Sequence, residues 1–303
     1  MFGRRLINTQ QGGGGGGLDG QYMFLGGYLQ PTQISSDFGS SWSVVTTSVV
    51  LNKAAISSNG QYIALATNGY LSLSSDFGAT YTVKYSSNFS GCAISYSGQY
   101  ISALSSGTLY KSSDYGVSFS TSSLSRNYIS MSSNGEYQLS TSYNTIPQLS
   151  SDYGVTWADS GVSAPYYSSL MSASGQYMIG GCGFIEGFKK SSDYGVTWST
   201  FSIAGNWWRG DISSTGQYVV MSSGSTSTGG IMSADYGVTF SKVTAAGQRS
   251  DDFSVSGSGQ YMISPSEESN PSVSFSDDYG ATFTIKSIGG GIFGKSAISK
   301  VAP

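Results

Sequence analysis

Seven aspartates stand in nearly the same surroundings, and a carboxylate held in a polar turn is a group that could transfer protons or attack a substrate. They are Asp37, Asp76, Asp114, Asp152, Asp193, Asp235 and Asp278, spaced 38 to 43 residues apart. SSDYGVTW carries one at 150–157 and, letter for letter, another at 191–198. The others lie in SSDFGSSW (35–42), SSDFGATY (74–81), SSDYGVSF (112–119), SADYGVTF (233–240) and SDDYGATF (276–283). A catalytic carboxylate is needed once per site, not once per repeat. These seven therefore read as folding parts. An Asp at the head of a turn accepts hydrogen bonds from turn amides, and a Gly such as Gly154 supplies the φ the turn needs. Thr156 and its counterparts tie the turn through a hydroxyl. Trp157, Phe119 or Tyr81 then buries a ring between elements.

The remaining reactive groups are few. The chain has no histidine, which removes the commonest general base and zinc ligand. Cys92 and Cys182 have neither a metal-site spacing nor the number for a disulfide framework, and read as free thiols. Beyond Arg4 and Arg5 the arginines are Arg126, Arg209 and Arg249. The carboxylates outside the octets include Asp159, Glu186, Asp211, Asp251, Asp252, Glu267 and Glu268. No spacing among these selects a pair to flank a glycosidic bond within ~5–10 Å. No metal and no cofactor is expected, and no EF-hand-type calcium run is present. Charged residues make up 10% of the chain and the net charge is −3. Without a basic stripe, nucleic acid is a poor partner. No stretch approaches the ~18 apolar residues of a membrane span, and the first residues lack the apolar run of a secretory signal.

The elements that position these groups come from a repeat. GQY or GEY recurs in step with the octet, at Gly20, Gly60, Gly98, Gly135, Gly175, Gly216 and Gly259. In one unit AAIS (54–57), QYIALAT (61–67), LSLSS (71–75) and TYTVKY (80–85) read as four strands joined by tight turns. Both faces of these strands are apolar or small, as when sheets stack against neighbours on both sides. Seven such units predict an all-β, seven-bladed β-propeller of four-stranded antiparallel blades over 18–303. Unit one lacks its first strand, and SAIS (296–299) near the C-terminus looks like a first strand with nothing after it. The C-terminal strand is thus expected to complete blade one and close the ring, removing an exposed edge. Residues 1–17, with two arginines and six glycines at 12–17, read as a flexible attachment segment with a poly-Gly hinge.

The octet matches the Asp-box pattern S-x-D-x-G-x-T-[WF], and the chain resembles the BNR/Asp-box repeat family over about 18–303. The resemblance implies a sialidase-like β-propeller. It also implies, for members that are sialidases, three arginines clamping a substrate carboxylate, a Tyr–Glu nucleophile pair, an acid Asp and an Arg-Ile-Pro-type motif. This sequence has no Arg-Ile-Pro run and no arginine in blade one.

In such a blade the first and third turns share one face of the disc, and the second turn and the crossover share the other. The first and third turns are nearly constant here, so binding is expected on the variable crossover face. Counting back from each turn glycine brings Asn127 and Tyr128, Tyr166 and Tyr167, Trp207, Trp208 and Arg209 into one register, with Phe89 in its own blade, Lys53 at the offset of Arg209, and Phe293 and Lys295 where blade one closes. Trp207 and Trp208 are aromatics the repeat does not require. Tyr128, Tyr166, Tyr167, Trp207, Trp208 and Arg209, with the crossover arginines Arg126 and Arg249, form the candidate ligand-binding set, suited to stacking on a sugar or gripping a protein loop; the alternative is that these rings begin the innermost strands and fill the gap between blades. The expected function is a non-catalytic recognition or adhesion propeller for a glycan or surface protein, displayed on a larger assembly such as a virion or cell surface. The alternatives are a sialidase-like glycoside hydrolase and a structural or assembly scaffold.

Overall fold

The computed structural model describes residues 18–45, 49–143, 145–162, 166–182, 188–201, 203, 207–223, 229–243, 252–265, 272–288 and 293–301. Seven antiparallel sheets follow one another along the chain and make a seven-bladed β-propeller. Blade two shows the pattern. Val49–Ile56 is innermost, followed outward by Ile63–Thr67, Leu71–Ser74 and Thr82–Tyr85. Its inner strand starts at Val49, earlier than the AAIS run suggests, because Val49 and Leu51 are apolar and buried against the neighbouring blade. Blade two also carries a short fifth strand, Tyr28–Gln30, paired with Val49 and Val50.

Stacking explains why the strands are not amphipathic. Every residue of Ile63–Thr67 and of Val219–Ser223 is buried. The apolar clusters lie between blades. One joins Ala64, Ala66, Leu71 and Leu73 of blade two to Phe89, Cys92, Ile101 and Ala103 of blade three. The outermost strands are the exposed ones: Ser120–Ser123 turns Ser120, Thr121 and Ser123 to solvent, and Thr82–Tyr85 exposes Thr82 and Val83.

The ring closes as the two ends of the sequence predict. Lys295–Ile298 is the inner strand of blade one and pairs antiparallel with Met23–Gly26, Met23 opposite Ile298. The closure also rebuilds a turn from two distant pieces. In blade two, Gly60 N donates to Ser57 O (3.0 Å) and Tyr62 N to Ser57 Oγ (2.9 Å). In blade one, Gly20 N donates to Ser299 O and Tyr22 N to Ser299 Oγ, each at 3.1 Å. Asp19 fastens the joint: its carboxylate accepts from the amides of Gly257, Ser258 and Val301.

Candidate functional site: the axial mouth on the crossover face

The seven octet aspartates are tied into their own turns. Asp152 accepts the Thr156 amide (2.8 Å) and hydroxyl (2.6 Å) and the Ser150 hydroxyl (2.8 Å). Ser150 Oγ in turn accepts the Gly154 amide at 2.8 Å. The hydroxyl bond to the aspartate recurs in the other six copies at 2.5–2.6 Å. Bonds to the charged form favour it. The Thr156 hydroxyl and amide hold Asp152 down to about 2, and the Ser118 hydroxyl and amide do the same for Asp114. At Asp37 and Asp235 burial is the largest influence and pushes upward, yet the bonds together outweigh it. At neutral pH such carboxylates are anions held by their own turns, poor acids and poor bases.

The residue after each aspartate is a Phe or Tyr in the left-handed region, with φ of 59–61° at Phe38, Phe77, Tyr115, Tyr153, Tyr194, Tyr236 and Tyr279. That conformation aims the ring across the blade boundary. Each pairs with the GQY or GEY tyrosine of the preceding blade, centroids 4.6–5.5 Å apart, from Tyr22–Phe77 round to Tyr261–Phe38. Under the same tyrosine lies the turn glycine of the next blade; a Cβ on Gly98 would come within 2.3 Å of the Tyr62 ring. One interlock thus accounts for both sequence markers, and it occupies the Asp-box face.

On that face the axis is closed. Five backbone bonds link Ser58, Tyr96, Ser133, Ala173, Ser214 and Gly257 in sequence, at 2.8–2.9 Å. The Tyr96 hydroxyl crosses from blade three to within 2.7 Å of Ser214 Oγ in blade six. Burial raises its pKa well above the ordinary phenol value. Lys300 Nζ, on the closing segment, donates to Asp211 Oδ1 (2.5 Å) and to Ile212 O (2.7 Å). Asp211 also accepts the amides of Ile212 and Val255.

The axial cavity, about 140 Å³, runs from this floor toward the crossover face, where a smaller cleft is lined by Asn52, Lys53, Tyr128, Ser168, Ser169 and Arg209 among others. One residue per blade, seven before the turn glycine, marks this level: Lys53, Gly91, Tyr128, Ser168, Arg209, Asp252 and, on the closing strand, Lys295. In blades two, three, five and six the inner strand is irregular just before this position, between Leu51 and Lys53, Phe89 and Gly91, Tyr166 and Ser168, and Trp207 and Arg209. An extra residue there re-aims its neighbours, as β-bulges do at rims and sites. Ser168 Oγ, Ser169 Oγ and Arg209 Nη1 are buried without a hydrogen-bond partner among the described residues. Asp252 is fully buried; it accepts the amides of Phe253 and Ser296, with Lys53 Nζ 3.8 Å away.

The candidate residues thus divide. Tyr128 and Arg209 line the mouth. Trp207 does not: it is 2% exposed and packs with Leu170, Phe188 and Met221 in the seam between blades five and six, so it offers no face to a ligand. This corrects the reading of Trp207 as a binding residue; an aromatic beyond the repeat's needs fills a gap. Trp208, half-buried, is the bulge residue of the same strand. Arg126 donates to the carbonyls of Ser125 and Ile146 and staples blade four's own loops. Tyr166 and Tyr167 belong to strand Tyr166–Met171, their side chains outside the description, and Arg249 lies outside the described residues. Asn52, Ser168 and Ser169 escape sequence reasoning, although Ser168 shares the seven-residue offset with Lys53 and Arg209. Cys92 is buried between blades and its thiol is pushed up to about 12 by that burial. Among the described residues no cluster of three His, Cys, Asp or Glu could hold a metal, and no helix is long and apolar enough to cross a membrane.

No protein-family model matches the sequence, and no curated protein matches it. Solved structures do resemble the fold. YCF48 bound to a D1 peptide aligns with a TM-score of 0.58 at 13% identity, over 78% of this chain and 82% of that one. The GH74 xyloglucanase of Xanthomonas campestris gives 0.66 at 11% identity over 94% of this chain, which spans 55% of the enzyme. The β-propeller domain of Cps50 (Swd1) from Myceliophteria thermophila gives 0.64 at 11% identity, over 82% and 90%. At such identities the likeness shows the fold: the chain is a β-propeller.

Proposed function

We propose that this chain is a non-catalytic recognition propeller of the Asp-box type that meets a surface protein or a glycan at its crossover face. The Asp-box assignment is supported by seven octets with one hydrogen-bond pattern. One contrast carries the functional reading. The axial carboxylates Asp211 and Asp252 are bound into backbone amides and lysine contacts, whereas Arg209 lines an opening with a guanidinium nitrogen left unmatched. Glycoside hydrolysis needs two carboxyl groups facing one bond, one able to give a proton; recognition needs positioned donors. That a propeller of this shape is seen bound to a D1 peptide supports a protein ligand.

Peptide and glycan arrays probed with the full chain test the reading. Binding is expected, and Tyr128→Ala is expected to weaken it; ligand capture indifferent to that change would move the site elsewhere. Turnover of a fluorogenic glycoside panel, lost in Asp211→Asn, would replace the reading with a hydrolase. Residues 1–17 are proposed to attach the propeller to a larger assembly, on the strength of the basic pair and glycine run alone. Deleting them should release the chain from that assembly and spare array binding.

A further inference from the structure

We infer that the axial mouth is a carboxylate site, and that the propeller grips an acidic peptide there by a chain terminus or an Asp or Glu side chain. This inference rests on the recognition reading above and specifies its ligand.

Four observations converge. First, at the level seven residues before each turn glycine the ring holds three cations, Lys53, Arg209 and Lys295, against one carboxylate, Asp252. Three minus one leaves a net +2 at this register of a chain whose total is −3. Second, three of the buried side-chain atoms without a hydrogen-bond partner among the described residues, Ser168 Oγ, Ser169 Oγ and Arg209 Nη1, belong to residues lining the one cleft. Ser168 is only 5% exposed. Hydroxyls and a guanidinium are donors, and a buried donor left unmatched is costly. Their complement is a compact group rich in acceptors; a carboxylate accepts on two oxygens and forms short charge-assisted bonds to Arg. Third, the bulges before Lys53, Ser168 and Arg209 put these side chains at the mouth, and bulges recur where a side chain must be re-aimed. Fourth, the cleft measures about 50 Å³. That is room for a few water-sized groups, enough for a carboxylate on a slender stem and too little for a sugar ring.

The probes are an acetylated triglycine as free acid and as C-terminal amide, acetylated Gly-Gly-Glu amide, and glucuronate, titrated calorimetrically into the full chain. The free acid and the Glu peptide should bind, weakly and less at higher salt; the triglycine amide should bind at least about tenfold more weakly, the loss of a charge-assisted pair. Arg209→Met should cost a similar factor and Ser168→Ala several-fold, with the thermal midpoint of each variant kept as the check on folding. Acid and amide binding alike, an Arg209→Met variant that binds as the parent does, or a crystal grown in acetate with only water on Ser168 and Arg209 would overturn the inference. So would glucuronate binding more tightly than either acidic peptide, since the carboxylate would then belong to a sugar. A neutral glycan or peptide captured on the crossover face with Arg209→Met unaffected would defeat the carboxylate site and leave the recognition reading standing. Glycoside turnover would defeat that reading itself.

Discussion

At Tyr115 and its six counterparts a bulky side chain occupies φ near +61°, a region that costs an L-residue roughly 1–2 kcal/mol. The cost is offset because the left-handed step turns the ring onto the tyrosine of the previous blade, and aromatic pairs contribute about 0.5–1.5 kcal/mol beyond burial. The two effects can be separated. Tyr115→Ala keeps the backbone cost and loses the Tyr62 contact, and should destabilise the chain by about 1 kcal/mol. Tyr115→Gly loses the same contact but relieves the backbone, so it should be the milder change. Urea unfolding midpoints rank the two; equal values would mean the left-handed backbone carries no strain. The sequence announces an aromatic after each aspartate. Its handedness is hidden there, because only the neighbouring blade makes the conformation worthwhile.

Elements here are stable in company. Each blade has two buried faces, so a blade with one neighbour exposes the apolar residues that the next would cover. Ile298, 3% exposed, sits in the cluster that joins blade seven to blade one with Met23, Leu25 and Phe275. Ile298→Ala should cost about 2–4 kcal/mol, measurable by thermal or urea unfolding. A loss below about 0.5 kcal/mol, the scale of an ordinary surface change, would mean the strand is not holding the ring. Removing residues 295–303 should do more. Met23–Gly26 would become a bare edge beside an open seam, and the product should aggregate on gel filtration. A compact monomer from that truncation would refute closure by the C-terminal strand. The same element logic explains why Trp207 is misread from sequence. Its place at the start of an inner strand is visible, but whether it faces the mouth or the seam depends on the bulge between Trp207 and Arg209.

On the scale of the whole molecule, seven carboxylates are held below the ordinary range by the same turn. Their folded pKa values lie below the unfolded value of about 3.9, so the unfolded chain binds protons first as pH falls. The stability they contribute is whole above about pH 5 and is lost progressively as pH drops through the unfolded value toward the folded ones, about 2 for Asp114 and Asp152. With no histidine to titrate, these seven turns should show no unfolding step near neutral pH. Thermal midpoints should hold from pH 7 to about 5 and then fall, the steepest loss lying between the unfolded and folded pKa values. Asp152→Asn should lower the midpoint at neutral pH and reduce the acid slope, since one linked proton is gone. An unchanged slope would show that the turn carboxylates are not what acid attacks.

By itself the sequence determined the number of blades, the closing strand and the face that is constant. All of these follow from local periodicity, which a turn or strand obeys wherever it sits. The mouth was only half legible. Arg209 and Tyr128 could be placed by offset, but Asn52, Ser168 and Ser169 are common residue types that acquire meaning only from what surrounds them. Which side chains look down the axis, which vanish into a seam, and which donors are left unmatched were decided by the stacking of blades. Those relations join residues dozens to hundreds of positions apart, and no local pattern in the chain encodes the distance between them.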